Sequence, residues 1–310
     1  MSHIFKHKTI CILTISIVLL LFSGCRRCKH TEREQKSVIV NSSKGIGQNN
    51  DATVIGKPKK SNDKTKTNNS RKIQVEADMA VSAAHQLLLT TCEQDLPEQI
   101  ILRKAYITSY NKQTRCPNWV GWHLTREHAD GPVDRFNAFH EDESVPFPKA
   151  FSSDYKGSGW TRGHMCPAGD NKWDHDAMYN TFSYINICPQ NANLNNGLWN
   201  SIEMDCRKWA KKYGEIFIVC GPLFLNREHE TIGDNKVFVP EAFFKVMLIM
   251  NPKPQAFGFI ARNTDGGRKR DLYYNSIDEV ERITHYDFFS ALPDSIENIV
   301  ESEKANPEEW

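Results

Sequence analysis

Two short stretches of this 310-residue chain concentrate side chains that do acid–base, metal and phosphate chemistry. One is Trp160-Thr161-Arg162-Gly163-His164-Met165-Cys166-Pro167. The other runs Asn186-Ile187-Cys188-Pro189-Gln190, then Leu194-Asn195-Asn196-Gly197-Leu198-Trp199, and ends with Ile202-Glu203 and Arg207. A histidine accepts a proton near neutral pH, its unperturbed pKa being about 6.5. Amide and carboxylate oxygens are hard donors suited to Mg²⁺, an ion that keeps several of its waters. Guanidinium groups match phosphate oxygens with paired N–H donors. A base, a hard cation and guanidinium groups are together the equipment for hydrolysing a phosphodiester.

Each residue alone has a plainer use. A single histidine beside a glycine turn is usually structural, and Asn195 could cap the helix that follows it. Glu203 and Arg207, four apart, could form a surface ion pair worth about 0.3–0.5 kcal/mol. Their joint occurrence, in this order, is what points to a site.

The elements that must position these residues follow from periodicity. Residues 195–213 read as a helix, with Leu198, Ile202, Trp209 and Tyr213 on an apolar side and Gly214 as the stop. On it Asn195, Trp199, Glu203 and Arg207 recur every four residues, which places them along one slowly drifting stripe. Residues 105–110, 119–125, 181–188, 215–220, 242–250 and 256–261 read as strands. Residues 79–91 and 276–284 read as helices. The expected class is α+β, mixed α/β, with a sheet-rich core.

Organisation is uneven along the chain. Lys6 and Lys8 precede an apolar run at 10–21, about a dozen residues and short for a membrane span, so residues 1–24 read as a signal peptide. Ser23-Gly24-Cys25 resembles a bacterial lipobox, which implies export, cleavage before Cys25 and a lipid anchor on it; an uncleaved N-terminal anchor is the alternative. Residues 25–72 carry 13 basic and 4 acidic side chains among Asn, Ser, Thr and Gly, too few apolar groups to offset ordering entropy: a flexible basic tether. Residues 73–310 form the expected domain, with 24 basic and 34 acidic side chains. A collagen, a coiled coil, a polytopic membrane protein and a generic basic nucleic-acid coat are excluded.

The two motif stretches resemble the DNA/RNA non-specific endonuclease family of the ββα-metal (His-Me finger) superfamily. The family pattern is Asp-Arg-Gly-His, then an Asn-x-x-Pro-Gln strand end, then a helix opening with Asn and carrying Glu and Arg. Here it is Arg162-Gly163-His164, Asn186 with Pro189-Gln190, Asn195, Glu203 and Arg207. Residues 119–125 with Arg135, Phe139 and Asp142 resemble the early part of the family domain, residues 216–222 its central strand, and residues 284–294 its closing segment. The family's leading Asp is Thr161 here, so the hydrogen bonding that aims Arg162 and His164 must differ.

The resemblance implies a ββα-metal nuclease fold, with a central antiparallel-rich sheet flanked by helices. It implies cleavage of DNA and RNA through their phosphate backbones, leaving 5′-phosphates. His164 is then the general base and Asn195 the protein ligand of one Mg²⁺, with Mn²⁺ or another divalent cation as substitutes. Glu203 orders that ion's waters, Arg162, Arg207 and Arg135 hold phosphate, and Asn186 supports the His164 ring or the metal site. A homodimer is the frequent family state. A catalytically weak envelope protein that binds nucleic acid, and a phosphodiesterase for small or lipid substrates, are the competing readings. In an oxidising compartment the fold so implied suggests disulfides Cys166–Cys188 and Cys206–Cys220, leaving Cys92–Cys116, one of many pairings open to six cysteines, with free buried thiols the alternative for any one pair.

Overall fold

The structure, a computed structural model, describes residues 84–302 apart from 265, 266, 268 and 269. The expected leader (1–24), the tether (25–72) and the first residues of the expected domain lie outside the described residues. Runs rich in β-branched and aromatic residues give strands β1 (Gln99–Leu102), β2 (Ile107–Asn111), β3 (Cys116–Thr125), β4 (Thr161–His164), β5 (Ile187–Gln190), β6 (Glu215–Leu223), β7 (Ala242–Ile249), β8 (Gln255–Arg262) and β9 (Tyr274–Asn275). Seven form one antiparallel sheet in the order β9-β8-β7-β6-β3-β2-β1. Strands β4 and β5 pair separately as a two-stranded antiparallel ladder. The main helices are α1 (His175–Thr181), α2 (Asn200–Tyr213), α3 (Ile277–Thr284) and α4 (Asp294–Ser302). The α+β expectation holds. Among the described residues, no helix is long and apolar enough to cross a membrane.

Strand β7 shows how one sheet builds two cores. Because alternate side chains face opposite sides, Phe243 and Met247 join Trp199, Ile202 and Cys206 on the α2 face. Phe244, Val246 and Leu248 join Ile277, Val280 and Val300 on the α3–α4 face. Lys245 falls on the α2 face, where the alternation calls for an apolar residue, and is completely buried. Gly214, at φ +96°, ends α2, a left-handed conformation glycine adopts at little cost. Ser276 caps α3 by accepting from the Glu279 amide at 3.3 Å.

Two sequence expectations are corrected here. Residues 181–188 are not one strand: α1 runs through Thr181, Tyr184–Asn186 form a 3₁₀ turn, and β5 starts only at Ile187. Every residue from Thr181 to Cys188 is buried, the polar Thr181, Ser183 and Asn186 included, so its partly alternating pattern does not mark a solvent-facing side of a strand. Nor are the six cysteines paired: Cys92, Cys116, Cys166, Cys188, Cys206 and Cys220 are free thiols. Cys116 lies in the α2-side core while Cys92 packs against the other, so the sheet separates that expected pair. Cys220 instead donates to the Met165 carbonyl at 3.3 Å, Cys166 takes a contact from Asn171 at 3.2 Å, and Cys188 faces Cys116.

Candidate active site

Strand β4 carries Arg162 and His164, alternate residues and so on one face. Gly163 between them lies opposite Cys188. A Cβ there would sit 2.3 Å from Gln190 Oε1 and 2.6 Å from Gln190 Cβ, so close packing of β4 on β5 requires glycine. Asn186, fully buried before β5, accepts from the Cys166 amide and donates to the carbonyls of Cys166 and Thr181, all at 2.8 Å. Its amide therefore fixes the main chain just beyond His164. Its side-chain hydrogen bonds all go to main chain, so its support of the His164 segment runs through the backbone.

The helical wall starts earlier than expected. Asn191 is the cap, accepting from the amides of Asn193 at 2.9 Å and Leu194 at 3.2 Å, so Asn195 is freed from that duty. A short turn (Ala192–Leu194) leads into a π turn (Asn195–Trp199) and then α2. That wide turn rotates Trp199 out of the expected stripe and into the core, where its indole donates to the His164 carbonyl at 3.4 Å. Asn196 and Asn200 enter the cleft instead.

Six expected site residues line one cleft of about 340 Å³: Arg135, Arg162, His164, Asn195, Glu203 and Arg207. Asn186 lies behind it. His164 is 8% exposed, and its buried Nε2 has no hydrogen-bond partner. Phe182 meets its ring edge-on at 5.0 Å, and Phe139 lies tilted to it by 45° at 5.4 Å. Burial, followed by the charge of Arg135, pulls the His164 pKa down to about 3, well below the near-neutral value expected of a free imidazole. Arg162 stacks its guanidinium 4.6 Å from the Phe139 ring, and Arg135 lies 5.2 Å from that of Phe182.

Thr161 answers the question raised by its replacement of an acid. Its hydroxyl donates to the Gln190 carbonyl at 2.7 Å and accepts from Asn195 Nδ2 at 3.1 Å. That fixes which way the Asn195 amide points, and no described residue donates to its Oδ1. Arg207 is held on one side by the buried Asp170 at 2.8 Å, whose other oxygen accepts from the Trp122 indole at 3.0 Å. A Cβ on Gly169 would come within 2.8 Å of Arg207 Nη1, so the small residue leaves room for the guanidinium.

Beneath the cleft lies Lys245, its ammonium 4.5 Å from the Trp199 ring and 5.1 Å from that of Trp122, with no hydrogen-bond partner. Burial lowers its pKa, but the acidic groups of Cys220, Glu203, Cys206 and Asp170 outweigh that and raise it overall. The Glu203 pKa rises as well. Burial pushes its pKa up to about 7, with Lys245 drawing it down and Asp170 raising it. Neither Asp170 nor Lys245 was singled out from sequence, although a lysine inside the apolar run 242–250 was a visible anomaly.

The donor set fits a hard divalent cation: an oriented amide oxygen on Asn195, the Glu203 carboxyl, and an unpartnered buried imidazole nitrogen nearby. A histidine-bearing β-hairpin followed by a helix with asparagine and glutamate makes this a ββα-metal nuclease fold. The family model described as DNA/RNA non-specific endonuclease matches residues 83–295, and the chain belongs to that family.

Relatives agree. The mitochondrial nuclease EXOG of Xenopus laevis is 39% identical over 203 residues, covering 59% of this chain and 56% of that protein. The mitochondrial endonuclease G of Homo sapiens is 36% identical over 162 residues, covering 49% and 54%. Nuclease C1 of Cunninghamella echinulata var. echinulata is 35% identical over 208 residues, covering 61% and 82%. The chain thus spans little more than half the length of the mitochondrial relatives. A solved EndoG/EndoGI inhibitory complex superposes with a TM-score of 0.60 at 29% identity, covering 64% of this chain and 88% of that one.

Proposed function

We propose that this chain is a divalent-cation-dependent, sequence-non-specific endonuclease that hydrolyses DNA and RNA and leaves 5′-phosphate ends. The observation that carries the reading is the unpartnered, buried His164 Nε2 in a cleft shared with three arginines, three asparagines and a glutamate. Burial keeps His164 neutral, so its imidazole is free to take the proton of an attacking water. Part of what depresses its basicity is Arg135. A phosphodiester anion seated on Arg135 offsets that like charge, so bound substrate strengthens the base beside it. Arg162 and the free side of Arg207 hold the remaining phosphate oxygens. Asn195 would hold the cation through Oδ1, with Glu203 orienting its waters. When bound, Mg²⁺ supplies charge stabilisation for the transition state and the leaving 3′ oxygen.

Phosphate contacts carry little sequence information, which supports broad specificity. The test is incubation of the full chain with supercoiled plasmid and with RNA, in Mg²⁺ or in excess EDTA. Nicking and smearing confined to Mg²⁺ are expected, and both are lost in His164→Ala. An intact plasmid with folded protein, or normal turnover by His164→Ala, overturns the reading. For address, we propose an exported protein anchored through lipid on Cys25. Incorporation of labelled palmitate that Cys25→Ala abolishes is the expected result.

A further inference from the structure

We propose that Phe136 and Tyr179 form a stacking platform for an unpaired nucleobase at the rim of the cleft, giving the chain a preference for single-stranded polynucleotide; this rests on the nuclease reading above. Both rings stand in water, each 44% exposed. They meet edge to face, with centroids 5.8 Å apart and planes at 85°. The pair is firmly backed. Tyr179 lies flat on His140 at 4.1 Å and 8°, and the His140 ring nitrogens meet the carbonyls of Glu141 and Tyr179, each at 3.2 Å. The His140 main chain is tied to Phe182 and Tyr184 at 3.2 and 3.0 Å. Tyr179 itself belongs to α1, whose cap Asp174 accepts from the Asp176 and Ala177 amides.

Position and charge select the occupant. Phe136 directly follows Arg135, whose guanidinium lines the cleft over Phe182, the ring that meets His164. A phosphate on Arg135 brings the base of the same nucleotide within reach of the neighbouring ring. In a duplex both faces of each base are covered by its neighbours, so only an unpaired or splayed base offers a face to the platform. Stacking tolerates any base, which fits a site that reads phosphate.

The test compares binding of the full chain, in excess EDTA, to two short fluorescent strands of equal length: oligothymidylate and an abasic strand with the same phosphates. Roughly fivefold to 100-fold tighter binding of the base-bearing strand is expected. Phe136→Ala and Tyr179→Ala each erode that preference, whereas Phe136→Trp keeps it. Equal affinity for both strands overturns the platform, as does a preference that survives in both alanine variants. A change of oligomeric state in Phe136→Ala with the strand preference intact assigns the rings to a contact between two copies and overturns it too. Absence of any Mg²⁺-dependent cleavage by the unaltered chain removes the nuclease reading and the platform with it; normal cleavage with equal strand affinities removes the platform alone.

Discussion

His164 is enclosed by Phe139, Phe182 and the strand pair, so its proton chemistry is set by its surroundings more than by its type. Folded, it stays neutral down to about pH 3; unfolded, it protonates near 6.5. Its contribution to stability is therefore complete above about pH 6.5 and is lost as pH falls from there towards 3. Nitrogen-15 NMR titration of the imidazole in the metal-free chain checks this, and a midpoint above 6 contradicts it. Thr161 acts at one remove, through the Asn195 amide. Thr161→Val is expected to lower activity roughly tenfold and raise the Mg²⁺ needed for half-maximal rate, while Thr161→Ser restores both. Unchanged Mg²⁺ dependence in Thr161→Val refutes that role.

Among the elements, the hairpin loop closed by Asn186 is the most exacting. Asn186→Leu strips three buried main-chain groups of their partners, at roughly 1–3 kcal/mol for each group left unsatisfied. A urea midpoint that falls clearly, together with loss of cleavage, is expected; an unchanged midpoint refutes the clamp. Much at this scale was legible. The runs at 215–220, 242–250 and 256–261 fall within β6, within one residue of β7 and within β8, and Gly214 does end α2. The start of the helical segment was not legible, because Asn191 and Asn195 are both good caps one turn apart and local preference cannot choose between them. The π turn was equally hidden, and with it the exchange of Trp199 for Asn196 and Asn200 in the cleft. Residues 181–188 misled because enclosure from several sides imitates a buried strand.

For the whole molecule, one sheet divides two cores, and the separation of Cys92 from Cys116 follows from it. With the thiols free, a reducing agent is expected to leave the melting temperature unchanged; a marked drop would reveal bridges. Residues 73–310 carry an excess of acid, so on the proposed reading binding of a polyanion is expected to lean on the arginines in the cleft, and cleavage should slow steeply with rising salt. The fold class was readable from sequence, and six of the residues marked by the family resemblance do line one cleft, since periodicity and motif order are local. Strand order and the two-faced division were not, because they depend on packing between distant segments. Lys245 has one more consequence. Set beneath the cleft between two indoles, with Trp199 also bonded to the histidine strand, it gives the site an internal optical probe. An indole's emission responds to nearby charge, so titrating Mg²⁺ into the metal-free chain should shift the tryptophan fluorescence before any substrate is added. Replacing Trp199 by phenylalanine should silence most of that signal, and loading of the centre could then be followed by light alone.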